Sequence, residues 1–178
     1  MTITVDHLRG EAAREVLGEE YVLLYLATRA EPPYNSGPLY DRDRYLERTT
    51  RQAEATGFEA VSARDEDGRL IGFAFGLPMA AGRWWGGETT PAPDDVLDAE
   101  KFLVIELNVA AGERGKGYGR RLLEELLGGR GEAWATLLST PRAPARAMYA
   151  HLGWDAVGTC RPAPDAEAAD VLLLKLDR

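Results

Sequence analysis

Between Asn108 and Leu123 the chain reads Asn-Val-Ala-Ala-Gly-Glu-Arg-Gly-Lys-Gly-Tyr-Gly-Arg-Arg-Leu-Leu. An apolar strand pattern ends there, glycines alternate with basic or aromatic residues, and an amphipathic helix begins. Residues of these types in this order build an anion-binding turn. Glycines bring the backbone close to a phosphate with no Cβ in the way, and the first-turn N–H groups of the helix aim the positive end of its dipole at the anion. The cradle is Arg114, Gly115, Lys116, Gly117, Tyr118, Gly119 and Arg120. The cations of Arg114, Lys116, Arg120 and Arg121 either neutralise phosphates or are solvated surface charges. A phosphate-bearing cofactor is the ligand this turn predicts.

Spacing excludes two phosphate sites. A P-loop needs Gly-x-x-x-x-Gly-Lys followed by Ser or Thr, and here Lys116 precedes Gly117. A dinucleotide fingerprint needs Gly-x-Gly-x-x-Gly, yet after Gly115 and Gly117 the third position is Arg120. The strand feeding the turn, residues 102–109, carries one carboxylate, Glu106. By period-two alternation Glu106 shares a face with Phe102, Val104 and Asn108, opposite Leu103, Ile105, Leu107 and Val109. A carboxylate in that setting is paired or functional. Glu106 is therefore a candidate general base, the alternative being a structural carboxylate bonded to a neighbouring strand.

Three features combine with more specificity than the turn alone. They are Arg-x-x-Gly-x-Gly at Arg114, Gly117 and Gly119, the Leu-x-Val strand ending at Leu107 and Val109, and the segment from Ala145 through Tyr149 to Gly153 and Trp154. Together, over residues 102–154, they resemble the GNAT N-acetyltransferase superfamily. The resemblance implies acetyl-coenzyme A as co-substrate, its pyrophosphate gripped by the strand–turn–helix unit. It assigns the backbone of Leu107, Asn108 and Val109 to the pantetheine arm, with a Val109 N–H for the oxyanion. Tyr149 becomes the candidate general acid at the coenzyme sulfur, the alternative being a ring packed on the helix face of Leu152. One position departs from the family: Arg142 stands where Asn is usual, and a guanidinium there reaches for a phosphate instead. The implied reaction is direct acetyl transfer to a primary amine of a small molecule or peptide, without metal or acyl-enzyme. Glu106 would free the amine from its ammonium form. The alternative from another class is a non-catalytic acyl-coenzyme A-binding module.

Composition agrees. The chain has 178 residues, 45% of them hydrophobic, enough for the core of one domain. Within it, residues 1–100 form the acceptor-side half and residues 101–178 the coenzyme half. One cysteine, Cys160, and two histidines, His7 and His151, offer neither a disulfide nor a zinc set. No run approaches a membrane span, so a soluble, cytoplasmic protein is expected. The formal charge of −8 argues against nucleic acid as a partner. That excess lies wholly in residues 1–110, which hold 11 basic and 20 acidic side chains, where it would favour a cationic acceptor if it lined the site.

The elements that position these residues follow from periodicity. Strands are expected at 3–5, 59–64, 69–77, 102–109, 134–139, 154–160 and 171–176, and Asp65-Glu66-Asp67-Gly68 is a hairpin turn. Helices are expected from Arg9 to the Pro32-Pro33 stop, over 41–55, after the glycine turn with Leu122, Leu123, Leu126 and Leu127 inward, and over 143–152. Residues 78–100 read as a long loop, in which Trp84 and Trp85 wall an acceptor pocket, cap the sheet or fill a dimer contact. Tyr25, Tyr34 and Tyr40 are pocket-lining or core residues. The order predicts an α/β (α+β) fold, a mixed, largely antiparallel sheet of about six or seven strands flanked by helices. Exposed late strands make a homodimer an expectation.

Overall fold

The computed structural model of the chain describes residues 2–177. They form two compact units, interleaved along the chain.

The first unit holds the described residues up to Leu77 together with Ile105–Gly128. Its strands are β1 (Thr4–Arg9), β2 (Glu59–Arg64), β3 (Leu70–Met79) and the second part of β5 (Lys101–Val109), in the order β1-β2-β3-β5. β1 and β3 flank β2 antiparallel, from Thr4↔Arg64 to Arg9↔Glu59 and from Glu59↔Gly76 onward. The β2–β3 turn closes as its residues demand. Gly68 takes φ +79, and the Asp65 carboxylate accepts from the N–H groups of Asp67 and Arg69 at 3.1 and 2.9 Å.

The helical region from Arg9 is not one α-helix. A 3-10 segment, Gly10–Leu17, comes first, and α1 spans Glu19–Arg29. The extended backbone of Gly18 separates them. α2 (Arg42–Ala53) starts where Asp41 accepts from the Arg44 N–H at 2.8 Å, an N-cap. α1, α2 and the sheet enclose a core that includes Val16, Tyr21, Tyr25, Tyr45, Phe58, Phe73 and Phe75. The buried Tyr45 hydroxyl donates to Val16 O at 2.8 Å, so the helix packing leaves no stranded phenol there. α4 (Tyr118–Leu127) packs on β1 and β2. Its buried leucines are Leu122, Leu123 and Leu126, while Leu127 is half-buried.

The second unit holds Pro78–Val104 and the described residues from Gly129 on. Its order is β5-β6-β8-β7-β4, with β6 (Trp134–Ser139), β7 (Asp155–Arg161), β8 (Ala169–Lys175) and β4 (Glu88–Thr89). The β5–β6 ladder is parallel and three residues long, Lys101↔Trp134 to Leu103↔Thr136. β6–β8, β8–β7 and β7–β4 are antiparallel. β4 is the eighth strand of the described residues, one more than expected, and it lies inside the stretch read as loop. That stretch also contains α3 (Asp94–Leu97).

A buried lysine organises this stretch. Lys101 Nζ donates to the carbonyls of Val96, Leu97 and Ala99 at 3.0, 3.2 and 2.6 Å, satisfying the end of α3. Burial pulls its pKa below the usual lysine range. Trp85 Nε1 donates to Thr136 Oγ1 on β6 at 3.1 Å, which ties this tryptophan to the sheet. Cys160 is a buried core thiol, its pKa raised by burial. α5 (Arg146–His151) is shorter than the expected 143–152, because residues 140–145 turn rather than wind. Among the described residues no helix is long and apolar enough to cross a membrane, and no cluster of His, Cys, Asp or Glu could hold a metal ion.

Gly72 shows how closely the first unit is packed. A Cβ there would meet Asn108 O at 3.0 Å and Leu122 Cδ1 at 3.1 Å. Gly72→Ala is expected to destabilise the protein by about 1–3 kcal/mol, read as a lower urea midpoint with an unchanged m-value.

Candidate active site

The glycine turn takes the shape its composition requires. Beyond β5 a 3-10 turn, Ala111–Glu113, leads to extended Arg114. Gly115 and Gly117 then adopt φ +77 and +83, left-handed conformations that a side chain would strain. Gly117 is the N-cap of α4. The helical ladder begins with Arg121 N–H to Gly117 O at 3.1 Å, so the N–H groups of Tyr118, Gly119 and Arg120 fall in the first turn, where no intrahelical acceptor exists. A Cβ added at Gly112, Gly115 or Gly117 would meet nothing within 4 Å. The Cβ side of these glycines is therefore unobstructed.

Its basic side chains are differently employed. Arg114 forms a two-pronged ion pair with Glu31 at 3.1 and 2.6 Å, and its Nε donates to Val109 O at 3.2 Å. Lys116 pairs with Glu113 at 2.8 Å, a bond that raises the pKa of its ammonium. Arg120 pairs with Glu124 at 2.6 Å. Three of the four cations expected to meet phosphates thus hold carboxylates of the chain itself, while Arg121 is exposed. The capacity for an anion rests first on the backbone.

Upstream, alternation along β5 buries Glu106 and Asn108 and leaves Ile105, Leu107 and Val109 half-buried, as the period-two pattern requires. Glu106 is 5% exposed. Its Oε2 accepts from Arg29 Nη2 at 2.8 Å and from Asn108 Nδ2 at 3.2 Å, and its Oε1 from Arg48 Nη2 at 3.2 Å. Asn108 Oδ1 accepts from Arg29 Nη1 at 2.9 Å, so the amide orientation is set by a neighbour that only donates on one side and one that only accepts on the other. Arg29 lies over the rings of Tyr25 and Tyr34 at 4.8 and 4.6 Å, and Arg48 over Tyr25 at 5.9 Å.

Burial works against both guanidinium charges and Glu106 restores them, so the pKa values of Arg29 and Arg48 end above the ordinary arginine range. Burial, then the Glu106 charge, raises the Tyr25 phenol. Two cations thus surround one carboxylate. This local balance is the reverse of the acidic excess of residues 1–110.

Arg29 and Arg48 are the residues that reading along the chain missed. Arg48 follows buried Tyr45 by three positions and precedes buried Thr49, which places it at the edge of the inward stripe of α2. Arg29 follows Tyr25 by one helical turn. An arginine on an inward face is the signal, but in a helix as polar as α2 it does not stand out. Of the three tyrosines weighed as pocket or core, Tyr25 is buried against Tyr45 at 4.4 Å and Tyr34 meets Tyr40 at 5.1 Å.

Tyr149 belongs to the other unit. It is buried on α5, with its ring edge-on to Trp154 at 5.8 Å. The Trp154 N–H donates to Tyr149 O at 3.0 Å across Gly153 at φ +93, so the whole Tyr-to-Gly-Trp segment folds as one turn. Arg142 is exposed in the loop before α5.

The model of the acetyltransferase (GNAT) family matches residues 19–154. The chain belongs to the acetyltransferase (GNAT) family, and it is an acetyl-CoA-dependent N-acetyltransferase. No curated protein matches at significance. Among solved structures the chain is similar to PaiA N-acetyltransferase from Thermoplasma acidophilum in complex with coenzyme A, at 15% identity and TM-score 0.62, over 98% of this chain and 99% of that one. It is also similar to the ribosomal-protein-S18-alanine N-acetyltransferase from Escherichia coli, at 18% identity and TM-score 0.62, over 99% and 96% of the two chains. A third is aminoglycoside 6'-acetyltransferase type Ii, at 19% identity and TM-score 0.63, over 100% and 99%. At these identities the likeness is one of fold.

The Glu106 cluster has a direct energetic test. Glu106→Ala leaves two guanidiniums without their anion and is expected to cost about 3–5 kcal/mol, and Glu106→Gln, which keeps the shape but also removes the charge and turns an amide N–H toward one of the donors, is expected to be comparably costly. A Glu106→Gln urea midpoint equal to that of the unaltered protein would contradict the charge argument.

Proposed function

We propose that the chain transfers the acetyl group of acetyl-CoA directly to a primary amine of a small molecule or peptide, and that the coenzyme diphosphate sits in the crook of residues 114–120. The observation that carries this reading is the start of α4. There, first-turn N–H groups without intrahelical acceptors follow two left-handed glycines whose Cβ directions are empty. These residues fit a diphosphate. Bound acetyl-CoA supplies the acetyl group as an activated thioester.

The roles of the chain's own groups follow. N–H groups from Gly115 to Arg120 hold the diphosphate, with Lys116 and Arg114 able to add charge beyond their carboxylate partners. The backbone of Leu107, Asn108 and Val109 takes the pantetheine arm. Support for this comes from the β5 ladder to β6, which ends at Leu103, and from Ala110, whose N–H donates to Ile71 O on β3 at 2.9 Å. Backbone groups alternate in direction along an extended strand, so the Val109 N–H turns away from β3. Its carbonyl is held by Arg114, which leaves the N–H as a fixed donor for the acetyl oxygen. Glu106 takes the proton of the amine at Oε1, the oxygen that accepts from Arg48 while Oε2 accepts from Arg29 and Asn108. Tyr149 gives its phenolic proton to the departing sulfur.

Thiol release from acetyl-CoA, with polyamines, aminoglycosides and peptides offered in turn, tests the reading. Release with at least one amine is expected, and none with any, despite coenzyme binding, overturns it. Gly117→Asp sets a side chain and a negative charge against the diphosphate and is expected to abolish the calorimetric heat of coenzyme binding. Tyr149→Phe is expected to lower kcat by about 10²-fold or more with coenzyme affinity nearly unchanged; an undiminished kcat removes the acid role.

A further inference from the structure

The three carboxylates that neutralise the glycine turn are not equivalent. Glu124 meets Arg120 one helical turn away on α4, and both side chains are exposed, at 59% and 61%. Glu113 is buried, and Arg69 holds it at 3.3 Å as well as Lys116 at 2.8 Å. Of the three, Glu31 alone comes from outside the turn and its helix, two residues beyond the end of α1. It also makes the most complete contact. Its Oε1 accepts from Arg114 Nη1 at 3.1 Å and its Oε2 from Arg114 Nη2 at 2.6 Å, while Arg114 Nε donates to Val109 O. The paired Nη1 and Nη2 donors are the fork through which a guanidinium takes two oxygens of one phosphate. On the first residue of the crook, that fork is filled by a carboxylate of the chain itself.

We propose that Glu31 is an internal competitor for the coenzyme: its carboxylate keeps the Arg114 fork from the diphosphate, so that affinity in the crook is set by the backbone N–H groups and held below what the sequence of the turn could reach. The pair suits such an exchange. Its side chains are each about one-third exposed, at 33% and 35%, and ion pairs at that exposure contribute little to folding and yield readily to another anion. Together the two groups add no net charge beside the diphosphate. Without Glu31, Arg114 would add one positive charge and a free fork. No covalent bond changes in this competition. Glu31 is thus an affinity-determining residue for the coenzyme, although it belongs to the end of α1. A purely structural clamp predicts the opposite sign, because its loss would slacken the crook and weaken the grip.

This inference rests on the diphosphate reading of residues 114–120, and the experiment separates the two. Coenzyme A is titrated calorimetrically into the full-length protein, its Glu31→Gln and Glu124→Gln variants, and the Arg114→Gln variant with and without Glu31→Gln. Glu31→Gln is expected to lower Kd by about three- to tenfold, the scale of a partly exposed ion pair that no longer competes, and to steepen the weakening of binding by salt. In the Arg114→Gln background the same substitution is expected to bring no gain, since no fork remains to be freed. Partial misfolding of a variant lowers the fitted stoichiometry and leaves Kd as the property of the folded fraction. An unchanged or higher Kd in Glu31→Gln, a gain that survives Arg114→Gln, or an equal gain in Glu124→Gln overturns the competition while the diphosphate reading stands. No binding of coenzyme A by the unaltered protein overturns both.

Discussion

The first unit is organised around one buried anion. Glu106 sits on a strand, and its oxygens are reached from the end of α1 by Arg29, from the middle of α2 by Arg48 and from its own strand by Asn108. A carboxylate with so little exposure is tolerable only with such partners. The consequence runs both ways. The anion needs the two helices where they are, and the helices bring guanidiniums inward only because an anion awaits them. Tyr25 and Tyr34 complete the arrangement by offering ring faces to the cations, so desolvation of each guanidinium is offset on several sides.

The glycine turn follows a different electrostatic plan. Its side-chain cations are matched by carboxylates, Arg114 by Glu31, Lys116 by Glu113 and Arg120 by Glu124. What is left unmatched is the backbone, oriented N–H groups at the head of a ten-residue helix. Those donors cannot swing away or be screened by rearrangement, because the left-handed glycines fix their direction. Charge of the side chains tunes the turn, and geometry of the main chain defines it.

Much of this was legible along the chain because it depends on local rules. Residues 59–64 and 134–139 are strands with the expected bounds, Asp41 caps α2, Gly128 ends α4, and the alternation that put Glu106 and Asn108 on one face of β5 is the observed burial pattern. The failures are tertiary. β4 exists only as a partner for β7, and two residues carry no periodicity to detect. α3 depends on Lys101, a lysine that looks solvated until three carbonyls surround it. The carboxylate of Glu106 was visible as an anomaly in an apolar run, but its guanidinium partners lie 77 and 58 residues away, and nothing local distinguishes them from surface arginines. Likewise, the basic residues of the turn looked available because the carboxylate of Glu31 is 83 residues distant from Arg114.

Arg29 and Glu31 are separated by a single alanine, yet one is bound to Glu106 and Asn108 and the other to Arg114. The chain is thereby clamped at two points only two residues apart, just where it leaves α1 for the loop that leads to α2. The loop is tied as far as Ser36, whose N–H donates to Arg29 O at 2.8 Å, with the Tyr34 ring against the Arg29 guanidinium at 4.6 Å. A loop graft that begins after Ser36 keeps both ion pairs and the Tyr34 ring contact in place. A graft that also replaces Glu31 strips Arg114 of its carboxylate, and one that reaches back to Arg29 removes a donor from Glu106 and Asn108 as well.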